Sequence, residues 1–255
     1  MEGLKDKVIV FAGAGGIATA TAKFLGAGGA SVVVSDVVAA SAERTVQAAR
    51  DAGGDGVAIS VDISDEDQVR AQIELAIGTY GRIDGLFNVA ANIHPDEVAR
   101  DTDVVDIDLA AWQRTIDVNL TGYLLTAKHA IPHMVAGGGG SVVNTISDAV
   151  YGGMADKVAY QVTKAGVSAM TRHLARRYGK AKIRANSVSH GLVLTEQTKL
   201  NLPDEYRDVI LAQTPSHRHG KPEDLGATIA FLFSDLSEWI TGQALCVDGG
   251  AIMRP

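Results

Sequence analysis

The chain has 255 residues, of which 46% are hydrophobic and 28 are glycine. The glycines follow no three-residue period, which excludes a collagen-like protein, and the hydrophobic content excludes a disordered chain. The 23 basic and 30 acidic residues give a net charge of -7, so the chain has no overall positive field that would attract nucleic acid or an anionic membrane.

Short β-branched runs alternate with longer helical patterns from the start of the chain. The first run, at 8–11, is continuously apolar, which is typical of a strand covered on both faces. Further strands are predicted at 32–34, 56–61, 85–89, 141–146, 183–188 and 244–247. Helices are predicted at 17–25, 40–52, 109–134, 157–178 and 222–234. Another helix is predicted to begin after Ser64 as its N-cap, whereas 91–107 is predicted as a polar loop and 192–217 as a segment of mixed character.

This alternation of strands and helices predicts right-handed β-α-β units. It indicates an α/β fold with a doubly wound, Rossmann-type parallel sheet of seven strands that is flanked by helices. The sequence has no linker rich in proline or serine and no fixed-period repeat. We therefore expect residues 1–255 to form a single domain.

A glycine-rich turn joins the first predicted strand to the first predicted helix. Gly13, Gly15 and Ala18 fit the spacing G-x-G-x-x-A, which lets the backbone approach a pyrophosphate at a helix N-terminus. Asp36 ends the second strand, 23 residues after Gly13, where a carboxylate can accept hydrogen bonds from the ribose diol of adenosine. That carboxylate would repel a 2′-phosphate, and no Arg or Lys stands at 35–40. The pattern predicts NAD rather than NADP, against the alternatives of an ordinary glycine-rich turn and a solvated acid.

Tyr160 and Lys164 are four residues apart on a predicted helix, so their side chains share one face. A free tyrosine has a pKa of about 10 and is a poor base at neutral pH. A nearby ammonium favours the phenolate, and each pKa unit corresponds to about 1.4 kcal/mol. Such a pair is common on helix surfaces, so its meaning depends on the other motifs of the chain.

Together with those motifs, the pair resembles the active-site pattern of the short-chain dehydrogenase/reductase superfamily, over nearly the whole chain. Ser147 lies 13 residues before Tyr160, and Asn119 lies in Asp-Val-Asn-Leu, where the family has its catalytic serine and active-site asparagine. The other matching segments are 61–63 for the adenine ring, 88–91 where the family has Asn-Asn-Ala-Gly, 184–191 with Thr195 for the nicotinamide, and 221–224, 240–243 and 247–250 near the C-terminus.

The resemblance implies a dinucleotide-binding enzyme that interconverts a secondary alcohol and a ketone by hydride transfer. In the oxidising direction, the Tyr160 phenolate would take the hydroxyl proton while Ser147 orients the oxygen and stabilises charge on it. Lys164 would keep Tyr160 ionised and bind the nicotinamide ribose, and Asn119 would hold a water that relays the proton outward. The residues implied to hold NAD are Gly13, Gly15, Gly16, Ile17, Asp36, Asp62, Ile63, Asn88, Ala90, Tyr160, Lys164, Val193 and Thr195.

Several positions depart from the family pattern. The glycine loop is one residue short, Ala18 replaces its last glycine, and Ala12 and Val89 replace a threonine and an asparagine that support one another in the family. Losing both partners together is consistent with a compensated apolar repacking, which leaves no buried partner unsatisfied. His190 replaces the family's usual proline beside the nicotinamide, and it either contacts substrate or cofactor or caps a local turn.

The substrate pocket is expected to come from loops that follow the strands. The substrate residues predicted there are His94, Tyr151, Met154, His190 and Leu192. Leucines in 191–216, and the absence of Arg and Lys from 185–198, favour a neutral, hydrophobic alcohol or ketone, including a cyclic one. Two alternatives stay open, namely a 3-oxoacyl-thioester reductase or 3-hydroxyacyl dehydrogenase, and a non-catalytic dinucleotide-sensing protein. The intact catalytic set argues against the sensor.

The remaining features limit the partners. The single Cys246 excludes an intrachain disulfide and a cysteine cluster for zinc, and His129 and His133 lack the glutamate of H-E-x-x-H, so no metal site is predicted. No apolar run approaches the ~20 residues that span a bilayer, and residues 1–7 lack the apolar stretch of a signal peptide. We expect a cytoplasmic protein that binds a small molecule, without nucleic acid or membrane. By family resemblance, it should form a homo-oligomer, either a tetramer or a dimer.

Overall fold

In the computed structural model, which describes residues 1–253 except the side chain of Asn201, seven strands form one parallel sheet. The strands are β1 (Val8–Ala12), β2 (Ser31–Asp36), β3 (Asp55–Ser60), β4 (Gly85–Asn88), β5 (Gly140–Ser147), β6 (Ile183–His190) and β7 (Ala244–Val247). Their order across the sheet is β3-β2-β1-β4-β5-β6-β7, and every neighbouring pair is parallel. This confirms the predicted fold class.

Helices connect the strands and cover both faces of the sheet. They are α1 (Gly16–Ala27), α2 (Ala39–Asp51), α3 (Glu66–Tyr80), α4 (Pro95–Arg100), α5 (Leu109–Ile116), α6 (Gly122–Ala136), α7 (Ala149–Gly152), α8 (Val158–Tyr178), α9 (Glu196–Asn201), α10 (Asp204–Gln213) and α11 (Pro222–Phe233). Within residues 1–253, no helix is both long enough and apolar enough to cross a membrane.

The two faces of β1 belong to two different parts of the core, because successive side chains of a strand point to opposite faces. Ile9 and Phe11 pack with buried residues of α1, α2 and α11, whereas Val10 packs with buried residues of α3, α6 and α8. Full burial of each such side chain contributes about 1.5–3 kcal/mol. The continuously apolar run that predicted a central strand thus packs against helices on both faces of the sheet.

Two predicted element boundaries are wrong. The N-cap of α3 is Asp65, whose Oδ1 accepts hydrogen bonds from the backbone N–H groups of Asp67 and Gln68, at 3.0 and 3.2 Å. The predicted cap, Ser64, instead donates to Asp62 Oδ1 at 2.6 Å, because that carboxylate competes for its hydroxyl. The predicted helix over 109–134 is interrupted by a π-helical segment, Asp117–Thr121, between α5 and α6.

The segments predicted as loop or mixed contain short helices. The segment 91–107 includes α4, which has Pro95 in its first turn, where a missing N–H costs nothing, and two acidic residues that favour a helix N-terminus. The segment 192–217 includes α9 and α10. Their short length gives too few residues for a clear helical period, which explains why the pattern did not predict them.

The strand order reverses between β1 and β4, so the connections that leave these two neighbours run to opposite faces of the sheet. Ligands of such sheets bind in the crevice outside the carboxyl ends of the strands at this reversal. The turns after β1 and β4 therefore frame the candidate site.

Candidate active site

The turn after β1 has room for a ligand beside its backbone. A Cβ at Gly13 would lie 2.5 Å from the backbone nitrogen of Ala90, so only glycine allows this approach between the turns after β1 and β4. Gly15 has a φ of +106°, and among the described residues no atom lies within 4 Å of a Cβ built on it. Gly15 also precedes the first residue of α1, where backbone N–H groups attract anions. The turn thus fits the pyrophosphate of a dinucleotide.

Asp36 holds this turn in place from the end of β2. Its Oδ2 accepts a hydrogen bond from the backbone N–H of Ala14 at 2.9 Å, and its Oδ1 accepts one from Val38 at 2.8 Å. The side chain remains partly exposed next to the turn. A carboxylate in this position lies beside any group that binds along the turn. Its negative charge repels a phosphate carried by that group.

Asp62, in the turn after β3, is held by partners that favour its charged form. Its Oδ1 accepts hydrogen bonds from the hydroxyl and backbone N–H of Ser64, and its Oδ2 accepts one from the Arg114 guanidinium at 2.8 Å. Burial raises the pKa of Asp62, but these hydrogen bonds and the positive charge of Arg114 outweigh burial and hold the pKa below its ordinary value. The neighbouring Ile63 is buried in the core. Asp62 therefore presents a carboxylate tied to α5.

Residues at the end of β4 support the site through buried hydrogen bonds. The Asn88 side chain is fully buried, and its amide donates to Asn144 Oδ1 at 2.8 Å and accepts from the Thr126 hydroxyl at 2.7 Å. The carbonyl of Ala90 accepts a hydrogen bond from the Tyr123 hydroxyl at 2.8 Å. The Asn88 side chain thus stabilises the turn after β4, whereas Ala90 contacts Gly13 directly.

The replacements at Ala12 and Val89 are accommodated as an apolar repacking. The Ala12 carbonyl accepts hydrogen bonds from the backbone N–H groups of both Val89 and Ala90, at 3.0 and 2.8 Å. Ala12 is fully buried, and Val89 packs against the hydrophobic core. The contact between the two turns is therefore made by backbone and apolar groups, as the paired loss of polar residues indicated.

Tyr160 and Lys164 lie one turn apart at the start of α8. The Lys164 side chain is 2% exposed, and its Nζ donates to the Thr145 carbonyl at 3.0 Å and to the Tyr123 hydroxyl at 3.4 Å. Nζ is 5.7 Å from the centre of the Tyr160 ring. Burial lowers the pKa of Lys164 to about 7, because the ammonium has lost most of its hydration. Lys164 can therefore gain or lose a proton near neutral pH.

Ser147, the last residue of β5, completes this group. Its hydroxyl hydrogen-bonds to Tyr160 and also accepts a hydrogen bond from the backbone N–H of Ala149 at 3.3 Å. Burial raises the pKa of Tyr160, the hydrogen bond with Ser147 lowers it, and the charge of Asp148 raises it, with burial dominant. The net shift is thus opposite to the lowering expected from the lysine, and additional positive charge beside the phenol is needed to favour the phenolate.

Asn119 lies in the π-helical segment, fully buried behind the first turn of α8. Its Oδ1 accepts a hydrogen bond from the backbone N–H of Asn92 at 2.7 Å, and its Nδ2 donates to the Thr163 hydroxyl at 3.4 Å. Single π-helical turns inside helices are frequent at functional sites. Asn119 thus links the loop after β4 to the helix that carries Tyr160.

His190, the last residue of β6, stands opposite Ser147 in the pairing of β5 with β6. Its Nδ1 donates to the carbonyl of Gly191 at 3.0 Å, so the local turn cap is present. Burial lowers the pKa of His190, the hydrogen bond to Gly191 raises it, and the charge of Lys164 lowers it further. The ring is therefore neutral at pH 7, and its lone pair is on Nε2.

The segment after β6 approaches the glycine turn. Thr195 caps α9 by accepting a hydrogen bond from the Thr198 backbone N–H at 3.1 Å, and its Cγ2 would be 3.0 Å from a Cβ at Gly16. Val193 is buried in the core and pairs with Gly220, and the carbonyl of the preceding Leu192 accepts from the Gly220 N–H at 3.2 Å. Residues 192–195 thus close one side of the crevice.

The other predicted substrate residues lie further apart. His94 is exposed at the start of α4, and its Nδ1 is 3.6 Å from Asp96 Oδ2. Met154 is exposed after α7, whereas Tyr151 is half-buried and lines a groove of about 790 Å³ near β7. The structure therefore brings His190 close to the Ser147 and Lys164 group but leaves His94 and Met154 at its periphery.

Three residues that support the candidate site were not predicted from the sequence. Arg114 holds Asp62, Asn92 holds Asn119, and the Thr145 carbonyl holds Lys164. Arg114 and Asp62 are 52 residues apart, so no local spacing connects them. The Thr145 contact uses a backbone carbonyl, which any residue type would supply.

Comparison with known proteins gives matches over nearly the whole chain. A family model described as enoyl-(acyl carrier protein) reductase matches residues 12–251. A cis-4-hydroxycyclohexanecarboxylate dehydrogenase of Sinomonas cyclohexanicum is 38% identical over 250 residues, 98% of each chain. A 3-oxoacyl-acyl-carrier-protein reductase of Thermotoga maritima is 33% identical over 98% of this chain and 99% of its own. A short-chain type dehydrogenase/reductase structure from Mycobacterium ulcerans superposes with a TM-score of 0.89 at 30% identity, covering 98% of this chain and 91% of its own.

Proposed function

Because the chain belongs to the short-chain dehydrogenase/reductase family and is thereby an oxidoreductase, we propose that it uses NAD to interconvert a secondary alcohol and a ketone. The observation that carries this proposal is the grouping of Ser147, Tyr160 and Lys164 at the carboxyl edge of the sheet. The three side chains combine a hydrogen-bond donor, a phenol and an amine that titrates near neutral pH.

The preference for NAD over NADP is supported by Asp36. Two backbone N–H groups orient its carboxylate beside the glycine turn, where it would accept hydrogen bonds from a ribose diol and repel a 2′-phosphate. The same dinucleotide would be held by the turn that contains Gly13 and Gly15, by Asp62 and by the segment that ends at Thr195. When bound, NAD supplies the hydride acceptor and a positive charge.

The residues of the chain handle the proton. In alcohol oxidation, the Tyr160 phenolate oxygen takes the proton of the substrate hydroxyl, and the Ser147 hydroxyl donates a hydrogen bond to the same substrate oxygen. Lys164 can pass a proton on at neutral pH, because burial brings the pKa of its amine to about 7. The buried Asn119 orients the loop and the helix between which this proton leaves.

We propose a neutral, hydrophobic and cyclic alcohol as the substrate. The apolar segment after β6 and the neutral His190 support a neutral, hydrophobic substrate, and the relative named for cis-4-hydroxycyclohexanecarboxylate supports a cyclic alcohol. A second candidate, reduction of a 3-oxoacyl thioester, is favoured by the relative from Thermotoga maritima. The substrate named for the first relative carries a carboxylate. The test therefore compares a neutral cyclic alcohol with an anionic one.

Absorbance of NADH at 340 nm separates these candidates. Cyclohexanol, 4-hydroxycyclohexanecarboxylate and a 3-hydroxyacyl thioester would each be offered with NAD and with NADP. The proposal predicts turnover of a cyclic alcohol with NAD and much slower turnover with NADP. Turnover of the thioester alone would replace the proposed substrate class, and equal use of both cofactors would contradict the role of Asp36.

A homo-oligomer is also proposed. Leu124 on α6, Val162 on α8 and Trp239 after α11 are large apolar side chains that remain exposed. Exposed apolar side chains are often covered at protein interfaces, and we propose that a second copy of the chain covers these. Light scattering after size exclusion should give a mass of two or four times 26.6 kDa, and a monomer at micromolar concentration would contradict the proposal.

A further inference from the structure

Asp101 is a buried acid in the connection between α4 and α5, yet its partners belong to α8. The residue is 5% exposed. Its Oδ1 accepts a hydrogen bond from the backbone N–H of Ala159, and its Oδ2 accepts one from the backbone N–H of Tyr160, both at 2.9 Å. A buried carboxylate is costly unless it is hydrogen-bonded, so this position requires both partners.

The start of α8 depends on this remote segment. The first N–H groups of a helix have no partner within the helix. Here the N–H of Lys157 donates to the Asp101 carbonyl at 3.0 Å and that of Val158 donates to the Thr102 carbonyl at 3.2 Å. With the two bonds to the Asp101 carboxylate, four consecutive N–H groups are therefore bound by residues 101 and 102.

The side chain at the N-cap position of α8 does not bind these backbone N–H groups. Lys157 occupies that position, makes no side-chain cap hydrogen bond within the described chain, and has a φ of +60°. That conformation is uncommon for a residue other than glycine. The negative charge of Asp101 is also favourable at the positive end of the helix dipole. The geometry of the first turn of α8 is thus maintained by Asp101.

We propose that Asp101 is a positioning residue that sets the place of Tyr160 relative to Ser147. This inference rests on the proposed role of Tyr160 in proton transfer. The backbone N–H of Tyr160 is itself bonded to Asp101, whereas Lys164, one turn later, is anchored separately by the Thr145 carbonyl of β5. Loss of the Asp101 carboxylate would displace Tyr160 while leaving Lys164 in place.

A role in stability alone makes a different prediction. Any N-cap stabilises its helix, so loss of the cap lowers the melting temperature without changing the chemistry. Asp65 offers a control, because its carboxylate also accepts hydrogen bonds from two backbone N–H groups at the start of a helix, α3, but it is exposed and belongs to the local N-cap. A positioning role requires that Asp101→Asn and Asp65→Asn differ in kcat even where they lose similar stability.

The test measures kcat, the KM for NAD and amide hydrogen exchange for the wild type, Asp101→Asn and Asp65→Asn. Asparagine keeps the size of the buried side chain but replaces one acceptor oxygen with an NH2 group. That group faces a backbone N–H and cannot accept a hydrogen bond from it. We expect Asp101→Asn to lower kcat about tenfold or more, with the KM for NAD changed by less than about twofold. Exchange of the Ala159 and Tyr160 amides should accelerate about tenfold, and that of amides near Thr171 should not change. Asp65→Asn should retain kcat within about twofold.

Two results would overturn the inference. In the first, exchange at Ala159 and Tyr160 is the same in Asp101→Asn as in the wild type. In the second, exchange accelerates but kcat is unchanged, which would leave a structural cap only. If the wild type turns over no alcohol or ketone, the proposed function fails, and the exchange result still decides whether Asp101 holds Tyr160.

Discussion

Lys164 and Tyr160 face one another across 5.7 Å, measured from the lysine Nζ to the centre of the tyrosine ring. Both groups are perturbed by burial in the direction of their neutral forms, since the pKa of Lys164 falls to about 7 and the pKa of Tyr160 rises. The two pKa values are therefore further apart than those of the solvated groups, so ionisation of the phenol needs additional positive charge beside it. The neutral lysine also has a measurable consequence for folding.

The pH dependence of stability should reveal the buried amine. Lys164 is neutral in the folded chain above pH 7 but protonated when unfolded up to its ordinary pKa of about 10.4. The unfolded state therefore binds more protons in this range, so this residue makes stability rise with pH, by up to about 1.4 kcal/mol per pH unit. Relative to Lys164→Met, the wild type should gain stability between about pH 7 and pH 10.

Urea unfolding of both proteins at pH 7, 8 and 9 checks this prediction. Only the difference between the two free energies of unfolding is used, so other titrating groups cancel. Parallel pH profiles would show that Lys164 is protonated in the folded chain, contrary to its burial. Lys164→Met should also be inactive, because it cannot relay a proton.

Cofactor choice should change at Asp36. Asp36→Ala removes the acceptor for a ribose diol, the repulsion of a 2′-phosphate and the hydrogen bond to Ala14. We expect kcat/KM for NAD to fall by about tenfold and the preference for NAD over NADP to fall by more. Asp36→Asn, which can still accept from Ala14, is the control for turn geometry. An unchanged ratio of the two cofactors in both variants would rule out the proposed selection.

Arg114 should contribute to cofactor binding through Asp62. Arg114→Gln removes a positive charge and a hydrogen bond from the Asp62 carboxylate, so the pKa of Asp62 rises toward its ordinary value. We expect the KM for NAD to increase by about threefold to tenfold with little change in kcat. Arg70→Gln, which breaks an exposed ion pair with Asp67, is the matched control and should leave the KM unchanged. Equal effects of both substitutions would indicate a general loss of positive charge.

The parts of the fold that the sequence predicted are those set by local pattern. The apolar run at 8–11 and the spacing of Gly13, Gly15 and Asp36 can be read without tertiary information, and the seven strands follow from the same alternation. Tyr160 and Lys164 needed only the four-residue helical spacing to be placed on one face. These features depend on the local sequence pattern rather than on tertiary contacts, so they can be predicted from the sequence.

The parts that it missed depend on distant residues. Asp101 meets Tyr160 across 59 positions, and its side chain looks like any loop acid until α8 is placed beside it. The exchange of roles between Ser64 and Asp65 is decided by the position of the Asp62 carboxylate. The direction of the Tyr160 pKa shift was also not predictable, because burial, the dominant cause, is a property of the assembled site.

The most direct test of the proposed function is the kcat of Tyr160→Phe, which lacks only the phenolic oxygen. It would be measured with the best alcohol substrate of the panel and with saturating NAD, and NAD binding would be measured by calorimetry. We expect kcat to fall by about 10²- to 10⁴-fold while NAD still binds. Turnover close to that of the wild type would contradict the assignment of Tyr160 as the group that takes the substrate proton.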